Sequence, residues 1–319
     1  MKDKQEKIAA VIVTFNRKQC LLECVQAIFR QTYPPKTTYI IDNASTDGTL
    51  EYLSANGVKL QENEAVLNGN ILVHYIRLSY NIGGAGGFYC GIKTAYEQNI
   101  YDAVWVMDDD GIPMDNCLEM MVPYLTNHDY ISPICIAKEN PDYLAFDHKG
   151  EPIVKKYIEA FSKDGIIIDD GFPFNGVMYS RHFIDTIGFP KKELFIWGDE
   201  ANYSKRARKA GFSPITVTNA IHYHPFNRAD YAEVSILGHK RKIIITDSLL
   251  RFYCMHRNAA YNARIDGTAA IKNLVVRYAI FTKYYLCISH RPSLWLTFNR
   301  AFLAGLIGYL GGHKKYLKK

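Results

Sequence analysis

The sequence predicts an α/β protein built on an open, mostly parallel sheet flanked by helices, with a helical region at its C-terminal end. Two observations carry this reading. Short apolar runs alternate with helical patterns about four times in the first 110 residues, as strand–helix–strand units do. From about Ser248 the pattern turns to helical spacing crowded with aromatic side chains.

Taken in order, residues 8–15 (IAAVIVTF) are apolar and rich in β-branched side chains, as in a strand buried on both faces. Leu21, Leu22, Val25, Ile28 and Phe29 then recur at helical spacing, up to the stop at Tyr33-Pro34-Pro35. Residues 38–42 form a second strand, and Ser45-Thr46-Asp47-Gly48 turns into a helix at Thr49. Residues 73–78 are a third strand. Residues 81–87 read as a glycine-rich loop ahead of a helix that reaches Gln98. Residues 103–107 (AVWVM) are a fourth strand, stopping at Asp108-Asp109-Asp110. Further on, 130–136, 166–169, 174–179 and 213–223 read as strands, and 199–210 as a helix ended by Gly211. The expected division is into residues 1–235 and a helical region, 236–319.

Composition narrows the class. Of 319 residues 48% are hydrophobic and 22% charged, which excludes a disordered or collagen-like chain. Thirty-eight basic against 32 acidic side chains leave +6, too mild to imply nucleic acid without a basic motif, and none is present. Seven scattered cysteines form neither a CxxC motif nor an even set, which favours reduced thiols over disulfides or zinc. The polar start is no signal peptide, and no uncharged stretch reaches the roughly 18–20 residues of a spanning helix. The expected location is cytoplasmic, or peripheral on the inner face of the plasma membrane. The 23 Tyr and 16 Phe suit a core, but also surfaces that stack on sugars, bases or membrane interfaces.

The strongest local signal is the acidic triplet. Carboxylates crowded at the carboxyl edge of a strand repel one another unless a cation lies between them, and open α/β sheets bind ligands at that edge. A divalent cation shared with a diphosphate resolves the repulsion. If strand geometry persists, Asp108 and Asp110 share one side. The segments Val13-Thr14-Phe15-Asn16-Arg17 and residues 41–49 (IDNASTDGT) end two other strands, so three polar strand ends converge on one edge. Each alone is ordinary turn and capping chemistry.

Together VTFNR, IDNASTDGT and the strand-terminal DDD resemble the nucleotide-binding half of an inverting family 2 glycosyltransferase of GT-A fold, over residues 8–225. The resemblance implies a UDP-sugar donor and a divalent cofactor, Mn2+ or Mg2+. It implies that Thr14, Asn16, Arg17 and Asp42 hold the nucleotide, with Asp109 beside them. Asp108 and Asp110 become the outer members of the DxD motif. Residues 81–88 (NIGGAGGF) resemble the bacterial galactofuranosyltransferases, in which Asn81, Gly83 and Gly84 would admit close approach of a diphosphate or sugar ring.

An inverting transfer needs a base for the acceptor hydroxyl. Asp199 and Glu200, adjacent acids beside aromatic residues at a helix start, can supply it; attraction of acids to a helix N-terminus accounts for the same pair. The resemblance favours Glu200, with Asp199 as the alternative. His222 and His224 alternate onto one face of a strand, and imidazole is a suitable metal ligand. Family order favours His224, with His222 second. Phe174, Asn175, Gly176 and Trp197 resemble the acceptor-side wall, although core packing accounts equally for either aromatic.

Residues 251–319 interleave aromatic and basic side chains and read as a lid, an oligomer face or an interfacial membrane helix, with the basic 314–319 end meeting anionic headgroups. The function implied is transfer of galactofuranose from UDP-galactofuranose to a cell-surface polysaccharide or its lipid-linked precursor. Rhamnosyl or glucosyl transfer from dTDP-rhamnose or UDP-glucose is one alternative. A non-catalytic nucleotide-sugar or glycan-binding protein is another.

Overall fold

The computed structural model describes residues 5–226, 230–236 and 238–317. Residues 1–4 of the polar start and Lys318 and Lys319 of the basic tail lie outside the described residues. The first strands are β1 (Ile8–Thr14), β2 (Thr37–Asp42), β3 (Ala65–Asn68), β4 (Ile71–Arg77) and β5 (Ala103–Asp108). They alternate with helices α1 (Lys18–Phe29), α2 (Thr49–Ala55) and α3 (Gly83–Glu97). Next come β6 (Ile112–Pro113), α4 (Cys117–Met121), β7 (Tyr130–Ala137), β8 (Tyr143–His148), β9 (Glu151–Ile153) and α5 (Val154–Phe161). β10 (Ile166–Ile168), β11 (Asn175–Ser180), α6 (Arg181–Ile187), α7 (Asp199–Lys209) and β12 (Ile215–His224) complete the sheet region.

The sheet runs β10-β12-β7-β11-β5-β1-β2-β4-β3. Its heart is parallel: β1 pairs with β5 and β2, and β2 with β4. β11 inserts antiparallel between β5 and β7. β1 is buried along its whole length, as its unbroken apolar run requires of a strand covered on both faces. The apolar face of α1 places Leu21, Val25 and Ile28 in a core with Ile12, Ile40, Trp105 and Met107.

Two local expectations are corrected. The glycine-rich stretch is not a loop: α3 begins at Gly83, whose N–H is accepted by Asn81 Oδ1 at 2.8 Å. Its glycines serve packing, because a Cβ on Gly87 or Gly91 would lie 2.4 Å from Val13 Cγ1 or 2.3 Å from Val11 Cγ1. Nor does strand geometry persist through the acidic triplet. β5 stops at Asp108 and the chain turns there, with Gly111 N–H donating to the Asp108 carbonyl.

By packing, the chain forms two units: residues 1–192 with 207–227, and residues 193–206 with 228–319. The second unit contains a hairpin of β13 (Asp230–Ile236) and β14 (His239–Ile245), then α8 (Leu249–Asp266), α9 (Ile271–Lys283) and α10 (Pro292–Ile307). Val234 and Ile243 of the hairpin join Phe252, Phe281, Tyr285, Phe298 and Phe302 in its core. Much of the aromatic content goes here. The His256 ring lies edge-to-face with Phe252, Phe281 and Phe298 at 4.4–4.7 Å, and burial among them holds its imidazole neutral, well below its usual range.

Candidate active site

Within the first unit the carboxyl ends of β1, β2 and β5 lie side by side, with Thr14 in register with Asp42 and Val13 with Asp108. Asn16, at φ 53°, turns the chain after β1 and ties it to the next loop. Its N–H donates to Ser45 Oγ at 2.9 Å, and its Oδ1 accepts from Thr46 N–H at 2.7 Å. Asp42 is buried and accepts from Ser45 N–H at 2.8 Å and from the Tyr75 hydroxyl at 2.5 Å. Asn43 bridges onward to the start of α3, accepting from Ile82 N–H and donating to the Gly83 carbonyl, both at 2.9 Å. Gly84 has open space where a side chain would stand. The turn after β2, with the start of α2 and the end of β4, lines a polar cleft of about 220 Å³ through Asp42, Ser45, Thr46, Glu51 and Arg77.

The acids turn toward Arg17. Its Nη1 lies 3.0 Å from Asp109 Oδ1 and 2.7 Å from Asp110 Oδ2, while Thr14 Oγ1 donates to Asp109 Oδ2 at 2.7 Å. Both carboxylates are nearly closed to solvent, at 3% and 5% exposure. Burial pushes the Asp109 carboxyl up to about 6, against the pull of Arg17 and Thr14. Burial works against the Arg17 charge too, but Asp109 and Asp110 more than reverse this and hold it above its usual range. Asp108, the last residue of β5, is less buried than these two.

His224 meets the triplet and His222 does not. His224 Nε2 is 3.3 Å from Asp110 Oδ1. Its Nδ1 lies 2.9 Å from the Pro225 carbonyl, which can only accept, so Nδ1 carries the proton. Nε2 is then the ring nitrogen that can offer a lone pair to a cation placed beside the Asp110 carboxylate. The pair fits a divalent cation of the Mg2+ or Mn2+ class, which takes one or two protein ligands and fills its other positions from water and substrate phosphates. Among the described residues no three His, Cys, Asp or Glu side chains converge as a ready-made cage. His222 is sealed between Gly111 and Gly176: a Cβ on either would meet its ring nitrogens at 2.3 or 2.7 Å. Burial, reinforced by His224, pushes its imidazole down to about 3.

Gly176, at φ 75°, offers its carbonyl to Trp105 Nε1 at 2.7 Å, and Asn175 beside it pairs with Met107 of β5. Phe174 is buried and stacks on Phe88 at 4.3 Å, so its ring packs in the core.

In the second unit Trp197, Asp199 and Glu200 occupy the turn into α7. Glu200 Oε2 accepts from Gly198 N–H at 3.0 Å, Asp199 is buried, and the Arg251 guanidinium stands 5.7 Å from the Trp197 ring. Tyr75 and Asn43 hydrogen-bond around Asp42 and the start of α3, and Asn258 and Asn262, backed by Arg257, hydrogen-bond the turn before α7; the sequence reading missed all five. Tyr75 and Asn43 sat inside strand or turn patterns. The last three are polar positions on the buried face of a helix, a pattern break that could have marked them.

A sheet whose parallel strands end in polar loops around buried acids, on the topology found here, defines a GT-A-fold glycosyltransferase. The chain belongs to glycosyl transferase family 2, whose model matches residues 9–183. It is 25% identical over 295 residues to the galactofuranosyltransferase GlfT1 of Mycolicibacterium smegmatis, covering 90% of this chain and 91% of that protein. The Mycobacterium tuberculosis GlfT1 is 28% identical over 297 residues, covering 91% and 92%. In fold the chain is similar to the mannosyltransferase PcManGT of Pyrobaculum calidifontis, solved with GDP-Man and Mn2+. That match has a TM-score of 0.52 and 13% identity over 97% of this chain and 77% of that one. S. aureus TarS 1–349 in complex with UDP-GlcNAc gives a TM-score of 0.52 and 16% identity over 94% and 81%.

Proposed function

We propose that this glycosyltransferase is an inverting, divalent-metal-dependent enzyme that moves galactofuranose from UDP-galactofuranose to a cell-surface polysaccharide or its lipid-linked precursor. The observation that supports the donor most is the likeness to two galactofuranosyltransferases over nine-tenths of both chains.

Asp110 and His224 would hold the cation, which when bound neutralises charge on the departing diphosphate. The remaining work belongs to the chain. Arg17 and Thr14 keep the buried acids ordered; Asn16, Asp42 and Asn43 set the loops around the nucleotide cleft. Asn81, Gly83 and Gly84 at the start of α3 would let a diphosphate or sugar ring approach closely. Glu200, or Asp199 beside it, accepts the proton of the acceptor hydroxyl as that oxygen attacks the anomeric carbon. The sugar–phosphate bond breaks as the new bond forms, UDP leaves with the electron pair, and the configuration inverts.

The test incubates the purified protein with UDP-galactofuranose, UDP-galactopyranose, UDP-glucose and dTDP-rhamnose over a galactan acceptor, with and without EDTA. Transfer from UDP-galactofuranose, lost in EDTA and restored by Mn2+, is expected. Turnover of dTDP-rhamnose or UDP-glucose alone would assign another donor, and full activity in EDTA would remove the metal.

The second unit supports contact with an anionic membrane at the cytoplasmic face. Residues 228–319 hold sixteen Lys and Arg against four Asp and Glu. The outer face of α10 exposes Leu296, Leu303 (58%) and Ile307 (76%) around Arg300. Basic side chains beside exposed apolar ones suit a headgroup layer. Among the described residues no helix is long and apolar enough to cross a membrane.

A further inference from the structure

We infer that Asn258 and Asn262 of α8, with Arg257 behind them, are positioning residues for the carboxylate of Glu200; this rests on the reading of the Asp199–Glu200 pair as the base. The loop before α7 is strained. Phe195, Trp197 and Gly198 stand at φ 68°, 58° and 94°, and two of the three carry bulky side chains that avoid this region. Such backbone persists only where its surroundings over-determine it.

Here the surroundings are two amides and a guanidinium. Asn258 Nδ2 donates to the carbonyls of Leu194 at 2.9 Å, Ile196 at 3.0 Å and Trp197 at 2.7 Å. Asn262 Nδ2 donates to the Gly198 carbonyl at 2.6 Å. Neither amide is free to flip. Arg257 Nε donates to Asn258 Oδ1, and Asn202 Nδ2 to Asn262 Oδ1, both at 2.9 Å. Arg257, fully buried, spends its other donors on the carbonyls of Glu193, Leu194, Leu310 and Gly311 and on His313 Nδ1.

The link to chemistry is one peptide group. The Trp197 carbonyl and the Gly198 N–H belong to the same planar trans unit and point in opposite directions. Asn258 holds the carbonyl end, and the N–H end donates to Glu200 Oε2 at 3.0 Å. Asn262 holds the next carbonyl along. Fixing that peptide plane therefore fixes the donor that aims the Glu200 carboxylate. Glycine suits position 198 because its φ of 94° strains any side chain, and a Cβ there would also crowd Asn258 Cβ at 3.1 Å. General helix packing would not require donors matched to four carbonyls within residues 194–198 with both amides locked from behind.

The test is a double-mutant cycle on transfer rate, with Asn258→Ala, the milder Asn262→Ser, Glu200→Gln and Asp199→Asn, each checked for a wild-type circular dichroism spectrum. Asn258→Ala is expected to lower kcat roughly 10- to 100-fold with the donor KM unchanged. Combined with Glu200→Gln it should cost nothing more, because both act on one carboxylate. If Asn258→Ala does not fold, the Asn262→Ser cycle reads the same coupling. Losses that multiply, or a donor KM that rises with the fall in kcat, would assign a merely structural role and overturn the inference. Wild-type kcat in both amide variants beside an inactive Glu200→Gln overturns it while leaving the base reading intact. Full activity in both Glu200→Gln and Asp199→Asn removes the base reading, and the inference with it.

Discussion

At the scale of single residues, the site depends on side chains whose neighbours decide their roles. His222 and His224 are indistinguishable by strand alternation, yet one meets Asp110 and the other is closed in by Gly111 and Gly176. The alternation was legible in the sequence; the crowding, set by two glycines on separate segments, was not. Gly111→Ala is accordingly expected to cost about 1–3 kcal/mol in urea unfolding, because its methyl collides with the His222 ring. His222→Ala in the same chain should recover much of that loss. If the pair shows no such recovery, the ring is not what excludes the methyl.

At the scale of elements, the parallel strands were legible because burial on both faces leaves an apolar run with a polar end. The three site loops followed from those ends. What stayed hidden was structure that lacks periodicity. β14 reads His-Lys-Arg-Lys before its isoleucines, and most of its residues are exposed, so no alternation announced a hairpin. The glycines of α3 misled in the other direction, since composition alone does not separate a phosphate loop from a helix pressed onto a sheet. That pressure is measurable. Gly91→Ala should destabilise the protein by about 1–3 kcal/mol, and Val11→Ala, which clears the colliding methyl, should make the second change less costly than it is alone. Strict additivity of the two would mean that α3 and β1 do not meet through these side chains.

At the scale of the whole molecule, charge and titration divide between the units. The first unit carries 20 basic and 25 acidic side chains and the second 18 and 7, so the net positive charge of the chain belongs to the second. Flotation with vesicles should therefore retain the protein on anionic phosphatidylglycerol and release it at 0.5 M salt, with little binding to neutral phosphatidylcholine. Equal binding to both lipids would contradict an electrostatic contact. Self-association through the same surface would have to overcome its own like charge. Acid sensitivity follows from buried imidazoles. His222, His256 and His313 all have their folded-state values depressed, the first to about 3 and the last to about 4, each by burial first. Stability is then fully present above the unfolded value near 6.5 and falls as pH drops toward those lower values, each group adding up to about 1.4 kcal/mol per pH unit. Urea midpoints measured from pH 7.5 to 5 should decline, and His256→Phe should flatten the slope. An unchanged slope would mean that His256 is charged in the native state.

The order in which the chain builds its two units carries one more consequence. The polypeptide leaves the sheet unit at residue 193, returns to it at 207, and departs again after 227. No single cut can separate the two bodies. A fragment ending at 227 would keep Asp199 and Glu200 but lack every amide of α8 that grips the turn before them. The sheet unit is thus expected to bind nucleotide as a truncated protein without turning it over. Dissection of this enzyme calls for excision and religation across two seams, and a shuffled chimera that swaps its C-terminal third must carry residues 193–206 along with it.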